Sequence, residues 1–410
     1  MRSMSSVLKS GHGLWAAMTS LAALAGILGC GDGDSTGGGS PSAPSAPPAP
    51  SALVARGDGD HQDGGDKDKD KHKDKDKDGD KSKDKKHDGS EQSGSSNASA
   101  PADPNAVAFY LSMHGSTGSD SIVGVTSEGK VLGSVLTGIP ADNALHLLRG
   151  MCLLPDRTVL VSNAYRDDTK VLRFGPIAAD GTAPFMSVFL QGGSGNAGLS
   201  HTYDVVLAPD GSIYCSNQDT NTVTRYAGPT APNAGSPLPA PPSLANVSGL
   251  APGVFIPNEK DDKDGIKEVR GLAIGPDGFL YVADKGRSRV TSYDTKTGKR
   301  HEVVAESKHG IKNPIQLVFS PDGRSLFIGD NGTNSIWKVD LASRTVSEFV
   351  PSGTPGVKLP SALTIDGDRL LIGSRETHGF IAVRLSDGQV AATPFISKLP
   401  DAPEFLLRVK

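Results

Sequence analysis

Val269-Arg270-Gly271-Leu272-Ala273-Ile274-Gly275-Pro276-Asp277-Gly278-Phe279-Leu280-Tyr281-Val282-Ala283-Asp284 is the stretch from which the fold is read. Two apolar runs flank a Pro-Asp-Gly turn. Proline fixes φ at the corner and glycine takes the positive-φ position, so the phrase makes a tight hairpin between two strands. The same turn returns at Pro155-Asp156, Pro209-Asp210-Gly211 and Pro321-Asp322-Gly323, and in shorter form at Asp366-Gly367. Each has an apolar strand on either side. The spacings fall in the forties to sixties, the period at which a four-stranded propeller blade repeats.

Second strands are expected at Thr158–Asn163, Ser212–Asn217, Phe279–Asp284, Ser325–Asp330 and Arg369–Ser374. Third strands follow at Lys170–Phe174, Thr222–Tyr226, Arg289–Tyr293, Ser335–Val339 and Phe380–Leu385. Weaker outer strands read at Met186–Leu190, Val254–Ile256, Arg300–Ala305, Thr345–Val350 and Val390–Ile396. The second unit carries a long Pro-rich insertion before its outer strand. Pro403–Val409 has the first-strand pattern and nothing after it, whereas Ala106–Met113, Ser121–Val125 and Lys130–Leu136 read as strands of a unit with no first member. Joining the two ends closes a ring and removes open sheet edges. The expectation is an all-β, six-bladed β-propeller over residues 105–410.

The segment before it reads as an address and a tether. Arg2 and Lys9 precede an apolar run from Leu14 to Leu28, which has the length of a secretory signal rather than of a membrane span. It ends in Ile27-Leu28-Gly29-Cys30, which resembles the bacterial lipobox. That resemblance implies a signal peptide over 1–29, a lipidated Cys30, and a protein held to a membrane without crossing it. The expected place is the bacterial cell envelope, facing periplasm or exterior. Residues 30–104 run through Gly/Ser and Pro/Ala/Ser into a tract with ten Lys and twelve Asp between Asp58 and Asp88, and are expected to be a disordered linker. Asp74-Lys75-Asp76-Lys77-Asp78-Gly79 opens like a calcium loop, but Lys85 stands where the bidentate acid is needed, and the plain spacer reading is preferred.

The Val269–Asp284 phrase, followed by Arg289-Val290 and Tyr293-Asp294, resembles an NHL repeat. The stretch from Ser320 to Asp330, continued through Ile336-Trp337-Lys338-Val339-Asp340, is similar to the gluconolactonase and senescence-marker-protein family. Both resemblances imply a propeller, and neither fixes an activity. The lactonase family's divalent metal is held by Glu, Asp and Asn at the channel. Glu404 matches the Glu, but Ile315 and Ser361 stand at the other ligand positions, so no such metal is expected. Amidating lyases of the NHL group use zinc and histidines. His146 and His201 precede inner strands, with His114, His309 and His378 on other loops, too few in the right place for a zinc site. No cofactor is expected.

Aligned on the turns, the residue just before each inner strand is Arg149, Tyr203, Arg270, Ile315, Ser361 and, in the closing blade, Glu404. These positions ring the channel mouth. Candidate ligand-binding residues are therefore Arg149, Tyr203, Arg270, Glu404, His146 and His201, and no catalytic residue is assigned. The two arginines either pair with Glu404 or another acid, or bind a carboxylate or phosphate bidentately. Asn163, Asn217, Asp284 and Asp330 end second strands, where they are expected to bind backbone amides. Cys152 and Cys215 fall in adjacent blades and are read as buried thiols filling space rather than as a disulfide. Residues 105–410 hold 29 Lys+Arg against 30 Asp+Glu, so no charge-based partner is implied, and the near-neutral balance of the whole chain argues against an electrostatic nucleic-acid binder. The expected function is a monomeric binding or scaffold module whose loop face meets an envelope protein or a small ligand, an anionic one being placed at the two arginines. The alternative is a metal-dependent hydrolase or lyase of the lactonase type, for which the cofactor would be a divalent cation.

Overall fold

The Pro-Asp-Gly phrases become hairpins closed by i to i+3 hydrogen bonds: Gly211 to Ala208, Gly278 to Gly275, Gly323 to Ser320. The three glycines have φ of +84°, +79° and +68°. In the first blade Arg157 occupies this place at φ +64°, a conformation that costs an L side chain about 1–2 kcal/mol. The computed structural model describes residues 103, 105–115, 120–165, 168–258 and 265–410. The readings of the signal segment, Cys30 and the Lys/Asp tract lie outside the described residues.

Six antiparallel sheets are arranged as a six-bladed propeller. The first blade runs Leu148–Leu153, Val159–Asn163, Lys170–Phe174 and Ala183–Gln191; the second Thr202–Leu207, Ile213–Asn217, Thr222–Tyr226 and Val254–Ile256. The third is Val269–Ile274, Leu280–Asp284, Arg289–Tyr293 and Arg300–Glu306, and the fourth is Pro314–Phe319, Ser325–Asp330, Ser335–Asp340 and Thr345–Val350. The fifth has three strands, Pro360–Asp366, Arg369–Ser374 and Gly379–Arg384. The closing blade places Pro403–Arg408 beside Phe109–Met113, then Ile122–Val125 and Val131–Ser134. The chain's last strand is thus the inner strand of a sheet begun 290 residues earlier. No α-helix occurs among the described residues.

Two expected strands differ. Lys130–Leu136 divides: Val131–Ser134 stays in the closing blade, while Leu136–Thr137 pairs in parallel with Ala183 and Pro184 of the first blade, stitching neighbours together. Val390–Ile396 is not a strand. Only the isolated bridges Val383–Val390 and Phe380–Ile396 touch the third strand, because Pro394 removes a ladder donor between them.

Both faces of each blade are buried against neighbours, so successive side chains of one strand feed two cores. Leu280 and Val282 pack with Tyr214 and Phe255 of the second blade, whereas Tyr281 and Ala283 pack with Leu317, Ile328 and Trp337 of the fourth. Six such clusters fill the six blade interfaces. The two beside the closing blade contain Tyr110, Ile122 and Leu148 on one side and Phe109, Leu371 and Leu406 on the other. Each inner strand contacts the next around the axis, including Pro403–Arg408 against both Leu148–Leu153 and Pro360–Asp366.

Candidate functional site

The six aligned residues lie inside the inner strands, as the second residue of each, and not before them. The reason is a β-bulge. In four blades the pairing skips one residue: Tyr203, Ile315, Ser361 and Glu404 have no opposite partner on the second strand. In the first and third blades the irregularity covers two, Arg149-Gly150 and Arg270-Gly271. A bulge bends the strand and re-aims the extra side chain. The two glycines permit a close approach to the next blade. A Cβ on Gly150 would lie 2.6 Å from the Asp204 carboxylate, and one on Gly271 would lie 2.7 Å from the Ile315 carbonyl.

The loops entering the bulges are held from the second strands. Asn163 Oδ1 accepts the His146 N–H at 2.6 Å, and Asn217 Oδ1 accepts that of Ser200 at 3.2 Å. Asp284 accepts Lys267 and Glu268, and Asp330 accepts Lys312, Asn313, Gly332 and Thr333. Ser374 Oγ accepts Lys358 at 2.9 Å. Five blades use one device: a short polar side chain at the strand end that satisfies backbone donors of the incoming loop.

Around this frame the polar residues converge on Glu404. Its side chain is 1% exposed, yet Oε1 lies 2.6 Å from His114 Nδ1 and 3.6 Å from Arg149 Nη1, and Oε2 accepts from Arg375 Nη2 at 2.5 Å. Arg149 Nη1 and His114 Nδ1 are themselves 2.9 Å apart. Burial opposes ionisation of Glu404, but His114, Arg375 and Arg149 outweigh it and hold the carboxyl below the usual glutamate range. Across the channel the Arg270 guanidinium sits 5.9 Å from the Tyr203 ring centroid, in cation–π range, and 3.8 Å from Glu268, which it shares with Lys285 at 2.9 Å. Tyr203 links the halves. Burial, then the Glu404 charge, pushes its phenol well above the ordinary range, against Arg375, Arg270 and Arg149.

His201 belongs to the same neighbourhood. Its Nδ1 is 3.1 Å from Asp219 Oδ1, and its imidazole is held below the ordinary histidine range by burial, with Arg149 and Arg270 adding to the effect against Asp219. His146 is elsewhere in its contacts: an ion pair with Asp120 at 3.5 Å and a ring contact with Tyr165. Ile315 and Ser361 are buried, and the Ser361 hydroxyl donates to the Pro403 carbonyl. Among the described residues no group of three or more His, Cys, Asp or Glu is placed to hold a metal ion. Cys152 and Cys215 are free thiols; burial pushes Cys152 up to about 12.

Arg375 is the participant that reading the sequence missed. It follows the fifth blade's second strand, in the turn register of Gln218, Lys285 and Asn331, and only the stacking of that turn over the closing blade gives it significance. Four buried polar atoms at the mouth have no protein hydrogen-bond partner: Arg149 Nε, Arg375 Nε, Tyr203 Oη and His201 Nε2. Two guanidiniums and the His114 imidazole thus meet the buried Glu404 carboxylate, with Arg270, the Tyr203 phenol and the His201 imidazole beside them, a donor-rich arrangement suited to an oxyanion.

No protein-family model matches the chain, and no curated protein is significantly similar in sequence. Solved structures do match. A chain of a nidogen/laminin complex is 14% identical, with a TM-score of 0.52 over 73% of this chain and 97% of that one. A putative 6-phosphogluconolactonase from Bacteroides uniformis is 12% identical (TM-score 0.47; 70% and 81% covered), and a catalytically inactive virginiamycin B lyase from Staphylococcus aureus with quinupristin is 15% identical (0.43; 63% and 73%). The likeness is one of fold.

Proposed function

We propose that the protein is a binding module of the bacterial cell envelope, a propeller held to the membrane by lipid on Cys30 and the 30–104 linker, which takes a small carboxylate- or phosphate-bearing ligand at its channel mouth. The observation that carries the reading is the excess of guanidinium. Arg149 and Arg375 pair with Glu404, and Arg270, whose charge acts with theirs on the same buried Tyr203, shares Glu268 with Lys285, so four cations meet two glutamates and the mouth is positive within a chain of net charge −4. An oxyanion between Arg270, Arg375 and the Tyr203 hydroxyl would pair donors that Glu404 alone leaves unmatched, and charge-assisted bonds of this kind are about twice as strong as neutral ones.

Calorimetric titration with succinate and inorganic phosphate tests it. The expected result is saturable one-site binding that weakens as salt rises and falls about tenfold or more in each of Arg270→Ala and Arg375→Ala, equivalent to roughly 1.4 kcal/mol. Binding of neither anion, or equal binding by both variants, would exclude the site. The anchor is tested separately: labelled palmitate enters the wild-type chain and not Cys30→Ser.

A second reading, an acid–base enzyme at the same mouth, is favoured by one feature. Asp219 fixes His201 through Nδ1 and leaves the buried Nε2 without a protein partner beside the arginines, the arrangement of an oriented general base. Its test is turnover of anionic lactones that is lost in His201→Gln with ligand binding retained.

A further inference from the structure

Below the arginine cluster the channel opens into a cavity of about 550 Å³ on the opposite face of the propeller. That size lies within the range of roughly 300–1,000 Å³ of pockets that take small organic ligands. Its lining comes from the later residues of all six inner strands and includes none of the bulge residues above. The wide end is an apolar ring: Leu153, Leu207, Ile274, Phe319, Ile365 and Leu407 stand at or near the end of each inner strand, and every one is half-buried, packed on one side against a blade-interface cluster. The closed end is polar. Asp204 and Gln316 stand there, 1% and 2% exposed, and both line the cavity.

Donor and acceptor accounting at that closed end gives its preference. The Asp204 oxygens each accept one backbone N–H at 2.9 Å, Oδ1 from Val205 and Oδ2 from Leu272, the latter across the blade interface. The Gln316 side chain also hydrogen-bonds Asp204, and Gln316 Oε1 has no protein partner. The carboxylate retains acceptor capacity, the amide oxygen has all of its own, and among the described residues no salt bridge reaches Asp204. Burial pushes the Asp204 carboxyl up to about 7, the behaviour of a carboxylate without a cation. At the rim, Arg408 shares Asp366 with Arg369, so the selection of a cationic head falls to the polar end and not to the entrance.

We propose that this cavity is a second binding site, independent of the anion site at the mouth, for a small amphiphilic primary amine: an ammonium donating to Asp204 and Gln316 Oε1, with an aliphatic body against the apolar ring. An ammonium has three donors and no acceptor, which matches an end where acceptors are in excess. A carboxylate head would face Asp204 and be repelled. An alcohol head supplies one donor and no charge.

The test uses the full-length protein and n-hexylamine, n-hexanol and hexanoate as probes, each titrated by calorimetry. Hexylamine is expected to bind saturably, hexanol at least tenfold more weakly, and hexanoate not at all. Asp204→Asn should reduce hexylamine affinity at least tenfold. Leu207→Trp, which fills the wide end without touching the polar one, should abolish binding of both hexylamine and hexanol. Arg270→Ala should leave hexylamine affinity unchanged, which separates this site from the one at the mouth. Equal affinity for hexanol and hexylamine, retention of hexylamine binding in both channel variants, or the absence of any saturable amine binding would each overturn the proposal.

Discussion

Replacing Glu404 with glutamine separates the structural from the binding role of the mouth. The side chain keeps its shape and loses its charge, while Arg149, 7% exposed, and Arg375 lose the carboxylate that compensates them. Removing one partner of a buried ion pair costs about 3–5 kcal/mol, against a total stability of about 5–15 kcal/mol for a domain, so the variant should still fold. The pH dependence has a definite sign. Glu404 is held below its unfolded value, so its contribution is fully present above the ordinary glutamate range and disappears as pH falls through the depressed value. The stability gap between wild type and Glu404→Gln should therefore be widest near neutrality and close in acid. Anion affinity should move the other way. By Coulomb's law one charge at a separation on the order of 7 Å and an effective dielectric of about 20 is worth roughly 2 kcal/mol, so losing the Glu404 charge should tighten a neighbouring oxyanion some thirtyfold. Urea unfolding from pH 3 to 8, with and without succinate, reads both effects. A variant as stable as wild type at pH 7, or one that binds succinate no better, would refute this account of the cluster.

Other expectations follow from single contacts. Asp204 is raised to about 7 in the fold, so its burial penalty is absent below about pH 4 and grows as pH rises toward 7; Asp204→Asn should gain stability relative to wild type across that interval, by up to roughly 4 kcal/mol less one lost hydrogen bond, in urea melts at pH 4 and 8. Asp330→Ala leaves four loop N–H groups without their acceptor and should cost about 2–4 kcal/mol, more than Ser374→Ala, which frees one. Arg157→Gly relieves a left-handed turn and should raise stability by up to about 1 kcal/mol by thermal unfolding. Truncation after Ala402 removes the inner strand of the closing blade and should abolish cooperative unfolding.

The architecture was legible because turn chemistry repeats. Once Pro-Asp-Gly fixes a corner, the strands on either side are placed to within a residue or two, and Ser325–Asp330, Arg369–Ser374 and Val254–Ile256 fall where their patterns put them. The closing blade was legible because two incomplete units complement one another. What failed did so for local reasons. Val390–Ile396 has strand-like residues at its ends, but Pro394 interrupts the ladder between them. The bulges were not visible, since an extra unpaired residue leaves the apolar alternation of the flanking segments intact, so Arg149, Arg270 and Glu404 were found as a ring but placed one step outside their strands. Arg375, Asp204 and Gln316 carry no sequence signal of their own. Their significance arises from which turn or strand stacks beside which, a consequence of ring closure rather than of any local pattern.

The most direct measurement on the central claim is anomalous diffraction from crystals of the protein soaked in selenate. The account predicts an anomalous peak at the channel mouth within hydrogen-bonding distance of the Arg270 and Arg375 guanidiniums and the Tyr203 hydroxyl, absent in the Arg270→Ala, Arg375→Ala double variant. Selenate bound only at surface lysines, with the mouth unoccupied, would contradict it.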